Sequence, residues 1–600
     1  MRPTPLIPLL LAACAGPGDL TGDEAAPEGP TIVTDGDGFF GAPFPAEGRL
    51  GEVSTFPNPD AVPVVDDVLA ALAADPDLGF PTTGAIWFPL TGTIDPTLLP
   101  DPAGTLLPDS PVRLIALDTG ETHPVDLHFE ADEQPFAPEN LLTLLPVQGI
   151  PLRPDTEYAA VLTTSLGLRR WTGGVPDGLD IPNLAAVTTF RTGSPTAGLE
   201  RGVQAARDLG LPEINDLALL ELHDDFCVFQ GQVDMPVFQQ GDPPYLTGGG
   251  GWHPDFELQR RAPSRVFLTI PRRPGPWPVT VMVRTGGGGD RPLIDRGPRA
   301  EAGGEAVEPG TGPALHFARS GVAGVMVDGP HGGLRNPGGS DEQFLMFNIT
   351  NPEALRDNLR QSALELALVP ELLDGLDADL SDCADGQLDT DRIALFGHSM
   401  GATIAPLVLA AEPRYDLVLL SGAGGSWIEN VLHKQLPLEV RPLAESMIGY
   451  DDRSLSRHDP FLAMLQWAGE SADPPVYAAH TDAHVFMMQG IVDRYILPPI
   501  ANATSLSFGL DRAGPELDAT TAELDPYRTL AELQPLVGTG SVASPVSGNQ
   551  AGRTRIVVQY PEDPIEDGHE VVFQTDAPKA AYEHVLSTWA AGSPEVPAVD

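Results

Sequence analysis

The sequence predicts a doubly wound, mostly parallel α/β sheet preceded by a small all-β domain. Three observations predict it. After Thr192, apolar runs recur between turn residues: RVFLTI (265–270), VTVMVR (279–284), VAGVMVD (322–328), RIALFG (392–397), DLVLLSG (416–422), HVFMMQG (484–490) and RIVVQY (555–560). Short apolar runs of this kind are what strands buried on both faces look like. Between them lie helical patterns, such as residues 198–210 and 351–376, of the length that crossovers in a parallel sheet require. Before Thr192 the rhythm differs. AIWFPL (85–90), VRLIALDT (112–119), VDLHFE (125–130), YAAVLTT (158–164) and AVTTFRT (186–192) are broken by Pro, Gly and Asp, which is the spacing of a β-sandwich.

Taken in chain order, residues 1–13 carry one basic residue, Arg2, then a short apolar stretch ending in small residues. This is the pattern of a signal peptide and is too short to span a bilayer. The string Leu11-Ala12-Ala13-Cys14 is similar to a bacterial lipobox, which would make Cys14 a lipidation site and a membrane anchor. Residues 14–55 are rich in Gly, Pro and Asp and read as a flexible tether. Residues 56–193 form the expected β-sandwich, in which IPLRPDTEYAAVLT resembles a strand of bacterial Ig-like domains. Residues 194–600 form the α/β domain. Its segment 427–475 contains the amphipathic stretch IENVLHKQLPLEVRPLAESMIG and is expected to cap the site.

Composition removes several functions. The 600 residues hold 84 acidic against 34 basic side chains, a net charge of −50, which repels phosphate backbones and excludes nucleic-acid binding. Lys434 and Lys579 are the only lysines, and neither sits in a P-loop or in a setting suited to Schiff-base chemistry. Cys227 and Cys383 can form a disulfide or remain two buried thiols, and without a C-x-x-C no cysteine zinc site is possible. The acidic stretch 377–391 has Asp382 where an EF-hand needs Gly, so it reads as a solvated loop. His480 and His484 border a strand and are assigned to packing or surface, and His331 to a structural role.

The chemistry is carried by ALFGHSMGA, residues 394–402, where Gly397-His398-Ser399-Met400-Gly401 joins a buried strand to a helix. That context is a nucleophile elbow: a tight, strained turn that leaves no room for side chains at Gly397 or Gly401 and exposes Ser399 at a helix N-terminus. The Met400 N–H then points where an oxyanion would form. A serine nucleophile needs a base, and the base an orienting carboxylate. Asp493 follows the buried run 484–490, and His569 follows the run 555–560, both at strand ends where open α/β sheets build sites. Asp482 lies at the wrong end of its strand. Glu562, Asp563, Glu566 and Asp567 are assigned to a solvated acidic loop. The second oxyanion donor is expected in Thr285-Gly286-Gly287-Gly288-Gly289, at Gly286 or Gly287.

These motifs, with GVAGVMVDGPHGGLR (321–335), HDPFLAMLQWAGESADPPVYA (458–478) and MMQGIVDRYILPP (487–499), resemble the serine α/β-hydrolase superfamily over residues 195–590. Within it the chain is similar to bacterial virulence-type lipase and esterase lipoproteins with a β-rich N-terminal domain. The resemblance implies carboxylic ester hydrolysis on small-molecule or lipid esters, a location at the cell envelope, and no cofactor. Members usually carry His-Gly where this sequence has Thr285-Gly286, which puts the anchoring of that loop in question. A prolyl-oligopeptidase-type peptidase shares the triad order, but no blade-length repeat is present. A catalytically inactive adhesion lipoprotein would have lost one of the three triad residues.

Overall fold

A computed structural model describes residues 29–599 except 76–78, 177, 522–523 and 525–526. The expected signal peptide, Cys14 and residues 14–28 of the expected tether lie outside the described residues.

The apolar runs, buried on both faces, build one large sheet. Its strands are β1 (Asn215–Leu222), β2 (Phe226–Val237), β3 (Arg260–Pro271), β4 (Trp277–Met282), β5 (Ala323–Val327), β6 (Leu388–His398), β7 (Tyr415–Ser421), β8 (His484–Ile491), β9 (Asp511–Ala513), β10 (Ser541–Val542) and β11 (Arg555–Pro561). The spatial order is β10-β9-β11-β8-β7-β6-β4-β5-β3-β2-β1. Pairing is parallel from β10 through β5 and antiparallel across β3, β2 and β1. Alternate residues of one strand enter opposite cores. Leu395 packs with the helices Pro352–Asp374 and Met400–Ala411, while Ala394 and Phe396 pack with Pro313–Ser320 and Asp576–Ala590. This is the expected doubly wound layout, with side chains alternating between two buried faces.

The N-terminal region departs from an all-β sandwich. It holds a three-stranded sheet (Ile86–Pro89, Leu141–Pro146, Val125–Glu130), a four-stranded sheet (Thr122–His123, Val112–Ala116, Glu157–Thr163, Leu184–Arg191) and a helix, Pro63–Ala73. Residues 29–55, expected in the tether, are packed instead: Ile32, Phe39, Phe44 and Val53 are buried. Phe44 bridges to Trp87 and Ile32 to Leu90. Aromatic burial of this kind outweighs the turn-rich composition that suggested a free segment. The same core continues into the inserted segment, taking in Ile428, Leu432, Ile448, Phe461 and Trp467. The two regions divided by sequence therefore share one hydrophobic core.

Cys227 of β2 and Cys383 are joined in a disulfide with Cα atoms 5.9 Å apart, resolving the alternative left open by the sequence. It ties β2 to the acidic stretch that runs into β6, where Asp379 caps the Ser381 N–H and, at the start of β6, Asp389 pairs with Arg392.

Candidate active site

Ser399 sits between β6 and the helix Met400–Ala411 with φ 52° and ψ −120°, a backbone state that costs a non-glycine residue energy. Its N–H donates to the Ser421 carbonyl at 3.0 Å, which fastens the turn to β7. The glycines flanking it are sterically required. A Cβ at Gly397 would stand 2.7 Å from the Gly401 carbonyl oxygen, and one at Gly401 would stand 3.0 Å from the Val283 carbonyl oxygen. Ser399 is half-buried and opens on a cavity of about 390 Å³.

Asp493 and His569 meet beside this turn. His569 Nδ1 lies 2.9 Å from Asp493 Oδ2, both side chains being buried. The other carboxylate oxygen of Asp493 accepts the N–H groups of Tyr495 (2.8 Å) and Ile496 (2.7 Å). The carboxylate is thus held from both sides, and the imidazole is left with Nε2 free of that pairing. Ser399 and His569 adjoin the same stretch of backbone: a Cβ at Gly422 would stand 2.8 Å from His569 Cε1, one residue after the Ser421 carbonyl that holds Ser399. Behind His569 lies the fully buried His398 ring, centroids 4.7 Å apart. Burial, then the Arg296 charge, holds His398 well below its ordinary pKa, so the wall behind His569 is neutral.

The acidic stretch next to His569 is more than the solvated loop expected. Glu562 is exposed, but Asp567 accepts the His569 N–H at 2.9 Å and Glu566 pairs with Arg299 at 3.1 Å. Asp563 accepts the N–H groups of Ile565 and Glu566. Carboxylates that cap backbone donors or pair with arginine are favourable where unpaired ones would repel. Asp482 is exposed and pairs with Arg553, as its position at the far strand end implies. His484 Nδ1 accepts the Thr554 N–H, and His331 Nε2 contacts Asn358 Oδ1, so both have structural partners.

Of the two expected oxyanion glycines, Gly286 lines the cavity together with Ser399 and Met400. Gly287 is exposed at φ 67°, and nothing within 4 Å would meet a Cβ there. Met400 opens its helix, where first-turn N–H groups have no partner inside the helix. The loop carries Thr285 where the resemblance leads one to expect a histidine, and it is anchored by arginines. Arg284 Nη1 donates to the Asp290 carbonyl at 2.8 Å, and Arg265 grips the Asp290 carboxylate at 2.8 and 2.6 Å. Both arginines also reach the buried Asp328. Sequence reasoning missed this clamp because its members come from three separate strands and loops.

The inserted segment forms the helices Trp427–His433, Val440–Met447, Pro460–Gly469 and Pro474–Ala478, which roof the cavity. Most lining side chains are apolar, including Phe347, Leu355, Val431, Leu443 and Met447. Lys434 and Tyr495 also line it, and neither was singled out as a site residue from sequence. The scarcity of lysine was the one available signal.

Among the described residues, His398, His569 and Glu570 are the only group close enough to share a metal ion, but Glu570 is committed to Arg296. No described helix is long and apolar enough to cross a membrane.

No family model matches the sequence, and no curated protein matches it. Among solved structures, the chain is similar to acetyl xylan esterase 1 from a Thermoanaerobacterium species, at 14% identity over 62% of this chain and 89% of that one, with a TM-score of 0.36. It is also similar to a glucuronoyl esterase from Teredinibacter turnerae, at 14% identity over 64% and 78% of the two chains, TM-score 0.32. A third is acylaminoacyl peptidase from Pyrococcus horikoshii, at 10% identity over 74% of this chain and 55% of that one, TM-score 0.31.

Proposed function

We propose that the chain is a serine carboxylic ester hydrolase working through an acyl-enzyme on Ser399. The observation that carries this reading is the buried His569–Asp493 pair at 2.9 Å, set beside a strained serine at a helix N-terminus on the floor of an apolar cavity. In the proposed reaction, His569 Nε2 takes the Ser399 hydroxyl proton as Oγ adds to the ester carbonyl. Asp493 keeps the proton on Nδ1 and stabilises the imidazolium. The Met400 and Gly286 N–H groups receive the oxyanion. Collapse expels the alcohol, which takes its proton from His569, and water then repeats the sequence on the acyl-enzyme.

A fluorophosphonate probe tests this reading: it should label Ser399, identified by peptide mass, and label nothing in Ser399→Ala. An unlabelled Ser399 in folded protein, with no hydrolysis of p-nitrophenyl esters, would overturn it. The finer reading, an esterase or lipase held at the cell envelope by lipid on Cys14, is supported by the Leu11-Ala12-Ala13-Cys14 string. Cys14→Ser should move the expressed protein from the membrane to the soluble fraction, and unchanged fractionation would sink the anchor.

A further inference from the structure

Lys434 is one of two lysines in a chain of 600 residues and net charge −50, and it faces the cavity that holds Ser399. It is the only cationic side chain among the lining residues. It follows the helix Trp427–His433, and its head is fixed: Nζ donates to the Tyr495 carbonyl at 2.9 Å. The following N–H groups, those of Gln435 and Leu436, donate to the Arg494 carbonyl, so the whole segment is zipped to the loop carrying Asp493.

An ammonium has three donors, and Tyr495 takes one. Among the described residues no carboxylate forms a direct ion pair with it, although the Asp493 charge attracts it from nearby. The nearby Asp493 oxygens are already taken by His569, Tyr495 and Ile496. Asp473, the only carboxylate lining the cavity, accepts the Ser426 N–H at 2.8 Å and Gln466 Nε2 at 2.6 Å. Burial brings the Lys434 ammonium down to about 8, which leaves it charged at neutral pH. A plain alkyl chain entering this cavity would strip water from that charge and return nothing. A substrate anion would pair with it through the two remaining N–H groups, on a head already held in place.

We propose that Lys434 is the specificity-determining residue of this cavity and selects esters whose acyl chain ends in a carboxylate, as in half-esters of dicarboxylic acids. This rests on the reading of Ser399 as the nucleophile. The field of the protein as a whole repels anions, so a single half-buried cation lining the same cavity as the reacting serine acts as a filter for that substrate class.

The test compares kcat/KM for p-nitrophenyl half-esters of succinate, glutarate and adipate with uncharged p-nitrophenyl esters of matched length. Wild-type protein should favour at least one half-ester over its uncharged counterpart. In Lys434→Met that ratio should fall about 10- to 100-fold, the size expected for losing a charge-assisted hydrogen bond in a cavity. Lys434→Arg should retain most of the preference. A wild-type preference for every uncharged ester overturns the proposal without needing a variant. Equal losses on both substrate classes in Lys434→Met also overturn it, since Lys434 would then act only by holding the Asp493 loop. Failure of the parent reading looks different: neither class is hydrolysed, Ser399 stays unlabelled by fluorophosphonate, and both ideas fall together.

Discussion

The Tyr495 ring lies over the His569 imidazole, with centroids 4.4 Å apart and planes 21° from parallel. The same residue donates its N–H to Asp493 and offers its carbonyl to Lys434. One residue thus fixes the plane of the His569 ring, the position of the Asp493 carboxylate and the head of the cavity cation. Tyr495→Leu should lower kcat about 10- to 100-fold through misplacement of the imidazole, with a smaller change in KM. Steady-state kinetics on a p-nitrophenyl ester check this, and a change confined to KM would mean that the stacked ring serves the substrate alone.

Asp493→Asn should leave the fold intact and cut kcat by roughly 10⁴, because an amide cannot hold the imidazole in the tautomer that accepts the Ser399 proton. The circular dichroism spectrum should match wild type. Retention of more than a tenth of the activity would move the acid role elsewhere.

Glu470 and Asp473 give the protein a stability that falls as pH rises. Both are buried, and burial lifts both carboxyls to about 7. Glu470 accepts the Thr82 N–H at 2.8 Å and so joins the N-terminal region to the roof of the cavity. A native pKa above the unfolded one means that the folded state holds more protons between the two values. The contribution is full below about pH 4 and lost as pH passes 7. Glu470→Gln should flatten that part of the stability profile by a few kcal/mol, measured by urea unfolding across the range. An unchanged slope would show that the pair does not titrate there.

Cys227→Ser with Cys383→Ser should lower unfolding stability by about 3–5 kcal/mol, as expected for a bridge spanning 156 residues. Reductant should produce the same shift in wild type and none in the double variant. A reductant effect that persists in the double variant would contradict the bridge.

The site was legible where its logic is local. Gly397 and Gly401 flag the elbow because both lie within two residues of Ser399, and Asp493 and His569 follow apolar runs that announce buried strands. The parallel strands β4 to β8 were legible for the same reason. Leu141–Pro146 and β1 were not: the former is a short run that ends at a proline, and the latter, at the sheet edge, is mostly exposed with Leu220 and Leu222 facing solvent. The Arg265–Asp290 clamp and the Lys434–Tyr495 contact join residues far apart in sequence, and no periodicity reports such pairs. The packing of residues 29–55 escaped notice because Gly and Pro dominate the stretch while Phe39 and Phe44 supply its burial.

The core shared by Trp87, Phe136, Phe461 and Trp467 changes what counts as a separable piece of this chain. Phe136 packs 5.8 Å from Phe461, and Phe44 packs 6.1 Å from Trp467. Hydrogen exchange should therefore show the strand Ile86–Pro89 and the helix Pro460–Gly469 opening together, as one cooperative unit, although hundreds of residues of sheet and helix lie between them along the backbone. Proteolytic trimming at Gly193 would uncover the roof of the cavity rather than release an independent module, so catalytic acceptance of substrate and integrity of the first third of the chain would be lost in the same step.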